Sequence, residues 1–185
     1  MASDPIGVLP AFLDRRRHAL PGDLAWDGVE DFEQWADVLR RRWLAGLPPC
    51  ADAAEAVVDG QDITLRFATG AESSGRFVLP DGPGPHPAVL LCHDHGGQFD
   101  IGWRKLADDL LSADSRARFY DGIALIDACR AAGFAVLCVD ALGWGGRQTG
   151  GYGGQQALAA NAMGLGWSLA GIVAAEDVQA ARWLA

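Results

Sequence analysis

The stretch Pro87-Ala-Val-Leu-Leu-Cys-His-Asp-His-Gly-Gly-Gln-Phe99 constrains this chain more than any other. Five apolar residues, Ala88 to Cys92, run directly into a polar loop with two adjacent glycines. A short unbroken apolar run after a Pro- and Gly-rich turn reads as a strand buried on both faces. Glycine lacks a Cβ, so main-chain N–H groups at Gly96 and Gly97 can be approached closely by a ligand. In open α/β sheets ligands bind outside the carboxyl ends of strands. His93–Phe99 is therefore expected to form one wall of a site.

The charge balance excludes some partners. A formal net charge of −9 argues against nucleic acid and anionic membrane, because both select basic patches. No segment reaches the roughly 18 consecutive apolar residues that a membrane span needs. Cys50, Cys92, Cys129 and Cys138 have no metal-type spacing. Three of them lie in apolar runs, as small core residues do. The expected setting is a reducing compartment, the cytoplasm.

Residues 1–30 read as an N-terminal extension with one short helix. Residues 31–45 form a clearer helix, with Phe32, Trp35, Leu39 and Trp43 on one face and a stop at Gly46, Pro48 and Pro49. That face is expected to pack on a core. Ile63–Phe67 and Arg76–Leu79 read as an antiparallel pair around a turn between Gly70 and Gly75. Helix is expected over 103–112 and again over Asp121–Ala132, closed by Gly133. Phe134–Val139 reads as a second buried strand, parallel to the first across a βαβ crossover. Gly143–Gly154 reads as a long glycine-rich loop, with helix from Gln155 onward.

Three segments together resemble the N-terminal half of an α/β-hydrolase, nearest the dienelactone-hydrolase and acetyl-xylan-esterase-like branch. They are Phe77-Val-Leu-Pro80, Pro87–Gly97 and Ala132-Gly-Phe-Ala-Val-Leu-Cys-Val-Asp-Ala-Leu-Gly143. The tail from Ala162 to Leu184 is similar to the long helix that precedes that group's nucleophile strand. The resemblance implies an α/β fold of α/β-hydrolase type: the N-terminal half of a mostly parallel sheet flanked by helices, with an N-terminal helical extension. Residues 31–185 would be the hydrolase portion. It also implies ester hydrolysis through a Ser–His–acid triad. Gly96, Gly97 and Gln98, with His95 beside them, would then supply oxyanion-hole donors and substrate contacts. Each such donor is worth roughly 3 kcal/mol. The bland alternative for the same glycines is a tight strand-to-loop turn.

The sequence departs from that family at the nucleophile. Gly166-Trp-Ser-Leu-Ala170 is the one near match to G-x-S-x-G, and helix-like sequence precedes it where the elbow needs a strand. Ser168 is expected to be a helical packing or surface residue. The chain ends about where the nucleophile strand would begin, so the expected protein is an esterase truncated before its nucleophile and inactive alone. The strand at 88–92 would then keep an unpaired edge, open to self-association. Its expected partner otherwise is a small-molecule ester.

Two other classes compete. A non-catalytic α/β module could bind a ligand through His93–Phe99. A metal-dependent hydrolase could use His93 and His95 with help from Asp100, Asp140, His18 or His86, although a catalytic zinc needs about three protein ligands. No cofactor is expected: the third glycine of G-x-G-x-x-G falls on Gln148 or Gln156, and no G-K-[ST] is present. Asp140 and Arg147 read as an ion pair ordering the glycine-rich loop, and Trp103 and Trp144 as pocket walls or core.

Overall fold

The computed structural model describes residues 10–26, 28 and 31–185. The chain divides into two compact units, Met1–Ala45 and Gly46–Ala185.

The first unit contains α1 (Ala11–His18) and α2 (Phe32–Ala45). The expected short helix within residues 1–30 is α1, and none of its residues is buried. The apolar stripe of α2 gathers Trp26, Phe32 and Trp35 into a ring cluster with centroids 5.2–5.5 Å apart. The Trp35 Nε1–H donates to the Leu24 carbonyl at 3.1 Å. The expected core face is only half-made, because no residue of α2 is buried and Phe32 and Trp43 stay exposed.

The second unit is a mixed α/β layer structure. Its strands are β1 (Glu55–Asp59), β2 (Asp62–Arg66), β3 (Glu72–Val78), β4 (Ala88–Leu90) and, after α3 (Ala113–Phe119) and α4 (Leu125–Ala131), β5 (Ala135–Val139). Helices α5 (Gly151–Gly164) and α6 (Leu169–Leu184) follow. The sheet order is β1-β2-β3-β5-β4. All five residues of β5 are buried, as its unbroken apolar sequence requires. One face packs Ile63, Leu65, Phe67, Leu137 and Val139 against Ala180 of α6. The other packs Val78, Val136 and Cys138 against Trp103, Leu106 and Ile126.

Five expectations change. The sheet is mostly antiparallel, with only β4–β5 parallel. The reason is connection length: β1 and β2 join through the two residues Gly60 and Gln61, and such a turn can only reverse the chain. Only the segment between β4 and β5 is long enough for a crossover. The apolar run 88–92 is not buried on both faces; Val89 and Leu90 are half-buried and Cys92 is exposed, because β4 lies at the sheet edge. Residues 103–112 form two 3-10 turns, Gly102–Leu106 and Leu110–Ser112, separated where the Asp109 carboxylate accepts the Leu111 N–H. Helix α5 begins at Gly151 and shortens the glycine-rich loop, and α4 spans Leu125–Ala131, the second half of the expected helix.

Among the described residues no single helix is long and apolar enough to cross a membrane; α5 and α6 are bent 86° to each other.

Close strand packing sets one residue type at the centre of the sheet. Gly75 of β3 faces Val139 of β5, where an added Cβ would overlap the Cys138 carbonyl oxygen and lie 2.7 Å from the Val139 Cα. Both are main-chain atoms that cannot swing away. Gly75→Ala is expected to cost about 3 kcal/mol of unfolding free energy, measured by urea titration.

Candidate functional site

The carboxyl ends of the parallel pair β4–β5 carry two loops, His93–Phe99 and Ala141–Gly150. A buried carboxylate joins the second of them to the 3-10 turn Gly102–Leu106. Asp140, directly after β5, accepts from the Trp103 N–H through Oδ1 at 2.9 Å and from the Gly146 N–H through Oδ2 at 2.9 Å. Its carbonyl accepts from Ser73 Oγ at 2.7 Å and from Arg147 Nη1 at 3.2 Å. A Cβ at Gly102 or Gly145 would overlap this carboxylate, and both residues have positive φ, 58° and 55°. The main chain can close this tightly only where those positions are glycine.

The expected Asp140–Arg147 ion pair is absent. Arg147 instead makes a two-pronged pair with Glu176 of α6, at 2.6 and 2.8 Å, and both side chains are buried. A planar guanidinium matches a carboxylate in this geometry, so the contact ties the loop to α6.

Each histidine of the His-x-His pair is committed within the protein. The His93 Nδ1–H donates to the Asp94 carbonyl at 3.1 Å, and Nε2 accepts the Ala141 N–H at 3.0 Å. Burial lowers the His93 pKa, which favours this neutral ring. The His95 Nε2–H donates to Gln155 Oε1 at 3.1 Å, and Nδ1 accepts the Gly97 N–H at 3.2 Å. Phe99, Trp144 and Tyr152 surround the His95 ring at centroid distances of 5.1–5.4 Å. Neither ring presents a free lone pair to a metal. Among the described residues no group of three or more His, Cys, Asp or Glu is placed to hold one. His18 lies on α1 of the other unit, His86 is half-buried before β4, and Asp100 is exposed.

The glycine loop rests on Lys105, which has no solvent exposure. Its Nζ donates to the carbonyls of Asp94 and His95, each at 2.9 Å. Burial pulls the Lys105 pKa down, opposed by the charges of Asp94, Asp100 and Asp140. The Trp144 Nε1–H donates to the same His95 carbonyl at 3.2 Å. The Asp94 carboxylate accepts the Tyr120 hydroxyl. Of the three sequence-predicted amide donors, Gly97 already gives its N–H to His95. The N–H groups of Gly96 and Gln98 have no acceptor among the described residues. The Gln98 Oε1 is turned inward, buried, with no hydrogen-bond partner among the described residues.

Beside this loop lies a cleft of about 560 Å³. His93, Asp94, His95 and Trp144 form one wall, and Leu169, Ala170, Val173, Ala174 and Asp177 of α6 form the other. Trp144 thus lines the cleft, whereas Trp103 is core, with Arg76 and Arg104 over its ring at 5.1 and 4.8 Å. Ser168 is the N-cap of α6, its Oγ accepting the Gly171 N–H at 2.9 Å. The other candidate nucleophile is Cys92, whose thiol is pushed up to about 11 by partial burial of its sulfur and by the nearby Asp177 carboxylate. At neutral pH it is a thiol, the unreactive form. Sequence reading missed Lys105, Gln155, Tyr152 and Asp177. Lys105 offers no local signal, and the others lie on helices whose facing surfaces no spacing rule assigns to a cleft.

No protein-family model matches the sequence, and no curated protein matches it. A crystal structure of a "putative acetyl xylan esterase" from Bacteroides fragilis NCTC 9343 is similar, with a TM-score of 0.65 at 14% sequence identity. The match covers 98% of this chain and 52% of that one, so this chain spans about half the length of that protein. The mixed α/β fold, with its five-stranded sheet and helices, is therefore similar to that of an esterase structure.

Asp177 supplies a pH test. Burial, aided by the charge of Glu176, raises its pKa from 3.8 to about 6. The native state then holds a proton that the unfolded chain releases first, so stability falls as pH rises from about 4 to about 6. Asp177→Asn is expected to be near neutral at pH 4. At pH 7 it should stabilise by about 2 kcal/mol, allowing for partial solvent screening. Urea unfolding at the two pH values measures both.

Proposed function

We propose that this chain is part of an ester hydrolase of α/β-hydrolase type, nearest the dienelactone-hydrolase and acetyl-xylan-esterase-like branch, and that it supplies the electrostatic wall of the active site without the nucleophile. One observation carries the reading. The loop His93–Gln98 sits at the carboxyl end of the parallel strand pair β4–β5 and borders an apolar-walled cleft. Acyl transfer builds negative charge on a carbonyl oxygen, and fixed N–H groups in a partly dry cleft stabilise it. The free amides of His95, Gly96 and Gln98 are the donors proposed for that role. The likeness of fold to an acetyl xylan esterase structure supports a small ester, such as an acetyl ester, as substrate.

The attacking hydroxyl belongs elsewhere in this reading. Ser168 spends its oxygen on the α6 cap, and Cys92 keeps its proton. The chain alone is then inactive. Strand β4 pairs only with β5 among the described residues, and its open edge is the proposed place for a further strand, from more polypeptide or from a second copy. The committed state of both candidate nucleophiles also favours a second reading, a non-catalytic module that binds a small ligand in the cleft.

Turnover of p-nitrophenyl acetate by the purified chain, read with NMR of its amides during acetate titration, tests these readings. The expected outcome is no turnover above background, with saturable shifts at His95, Gly96 and Gln98. Turnover abolished by Ser168→Ala overturns the assignment of the nucleophile. Turnover abolished by a chelator overturns it in favour of a metal at His93 and His95. Silent loop amides, with p-nitrophenol shifting only Leu169 and Val173, favour the binding module.

A further inference from the structure

We propose that Lys105 is a positioning residue for this site: its buried ammonium holds the Asp94 and His95 carbonyls inward, and so turns the N–H groups of His95 and Gly96 outward to meet an acyl oxygen. The assignment rests on the ester-hydrolase reading and adds to it a residue that touches no substrate.

The geometry follows from the peptide unit. A trans peptide is planar, with its C=O and N–H pointing in opposite directions. The carbonyl of Asp94 shares a plane with the His95 N–H, and the carbonyl of His95 with the Gly96 N–H. Lys105 Nζ lies 2.9 Å from both carbonyl oxygens and has no solvent exposure. Each carbonyl also accepts a second donor, His93 Nδ1–H at 3.1 Å for Asp94 and Trp144 Nε1–H at 3.2 Å for His95. Both oxygens are thus drawn into the protein, and the two attached N–H groups face away from the amine. Neither N–H has a protein acceptor among the described residues.

Glycine at 96 completes the arrangement. Its φ is 53°, and a Cβ there would overlap the Asp94 carboxylate and lie 3.5 Å from Lys105 Nζ. Without the amine, two carbonyls would lose charge-assisted bonds, and a glycine-bearing peptide could flip at little steric cost. Lys105 is completely buried, so it cannot bind an anion directly. Its effect on a ligand passes through the two peptide planes.

The test is ¹H–¹⁵N NMR of the full chain titrated with sodium acetate against sodium chloride at equal ionic strength. In the wild type the His95 and Gly96 amides shift saturably. In Lys105→Met these responses are lost or weakened roughly tenfold, as expected for losing charge-assisted bonds. The signals of Ile63, Leu65 and Leu137 in the core keep their positions. Lys105→Gln, which can still donate two hydrogen bonds, restores part of the response; a residue that merely filled space would show no such difference. Should Lys105→Met fail to fold, the wild type itself answers: through-hydrogen-bond couplings link the Lys105 ammonium to the Asp94 and His95 carbonyl carbons, and their absence overturns the assignment. A wild-type response that survives undiminished in Lys105→Met also overturns it, while leaving the ester-hydrolase reading intact. A wild type whose loop amides ignore acetate overturns that reading instead.

Discussion

The buried carboxylate of Asp140 is the constraint on which the site depends. It ends the fully buried strand β5 and binds main-chain N–H groups on both sides, Trp103 and Gly146, with one oxygen each. A carboxylate out of water is costly unless its oxygens are satisfied. Here two loops distant in sequence satisfy it, and they are thereby fixed to each other and to the end of the sheet. Gly102 and Gly145 make the closure sterically possible, since a side chain at either would occupy the carboxylate's space. Ser73 and Arg147 secure the same residue's carbonyl, extending the junction to β3 and, through Glu176, to α6.

The second loop is held by a different logic. The nitrogens of its histidines are all used, one set by the Ala141 N–H and the Asp94 carbonyl, the other by the Gly97 N–H and Gln155. A buried ammonium lies beneath. Polar groups that would be candidates for acid–base or metal chemistry thus serve as scaffold. What remains unsatisfied is a small set of main-chain N–H groups beside an apolar cleft. In the proposed ester-hydrolase reading, these amides are the groups that meet developing negative charge.

Some of this was legible in the sequence, and the failures are instructive. The apolar runs before His93 and before Asp140 identified a parallel pair, because a stretch without polar residues has no solvent face. The adjacent glycines marked the loop between them. Burial of β4 was overestimated, because composition does not reveal whether a strand has one neighbour or two. The mostly antiparallel sheet departs from what the family resemblance implies, and its local signal is Asp59-Gly60 between two short apolar runs, which marks a hairpin. The Asp140–Arg147 pair failed for a related reason. Proximity in sequence suggested it, yet a residue 29 positions away on α6 competed successfully for the guanidinium.

The sequence by itself determined the local matters: the parallel strands β4 and β5, the turn chemistry at their ends, and the helical character of the tail. These follow from hydrophobic period and from residues with special backbone freedom, which act over a few positions. Only the tertiary structure decided which amides stay free, which tautomers the histidines adopt, that Ser168 is a cap, and that Lys105 supports the loop from inside. Each of those outcomes is a competition for one hydrogen-bonding atom among groups far apart in the chain. Its result exists only once the sheet and the helices have brought the competitors together.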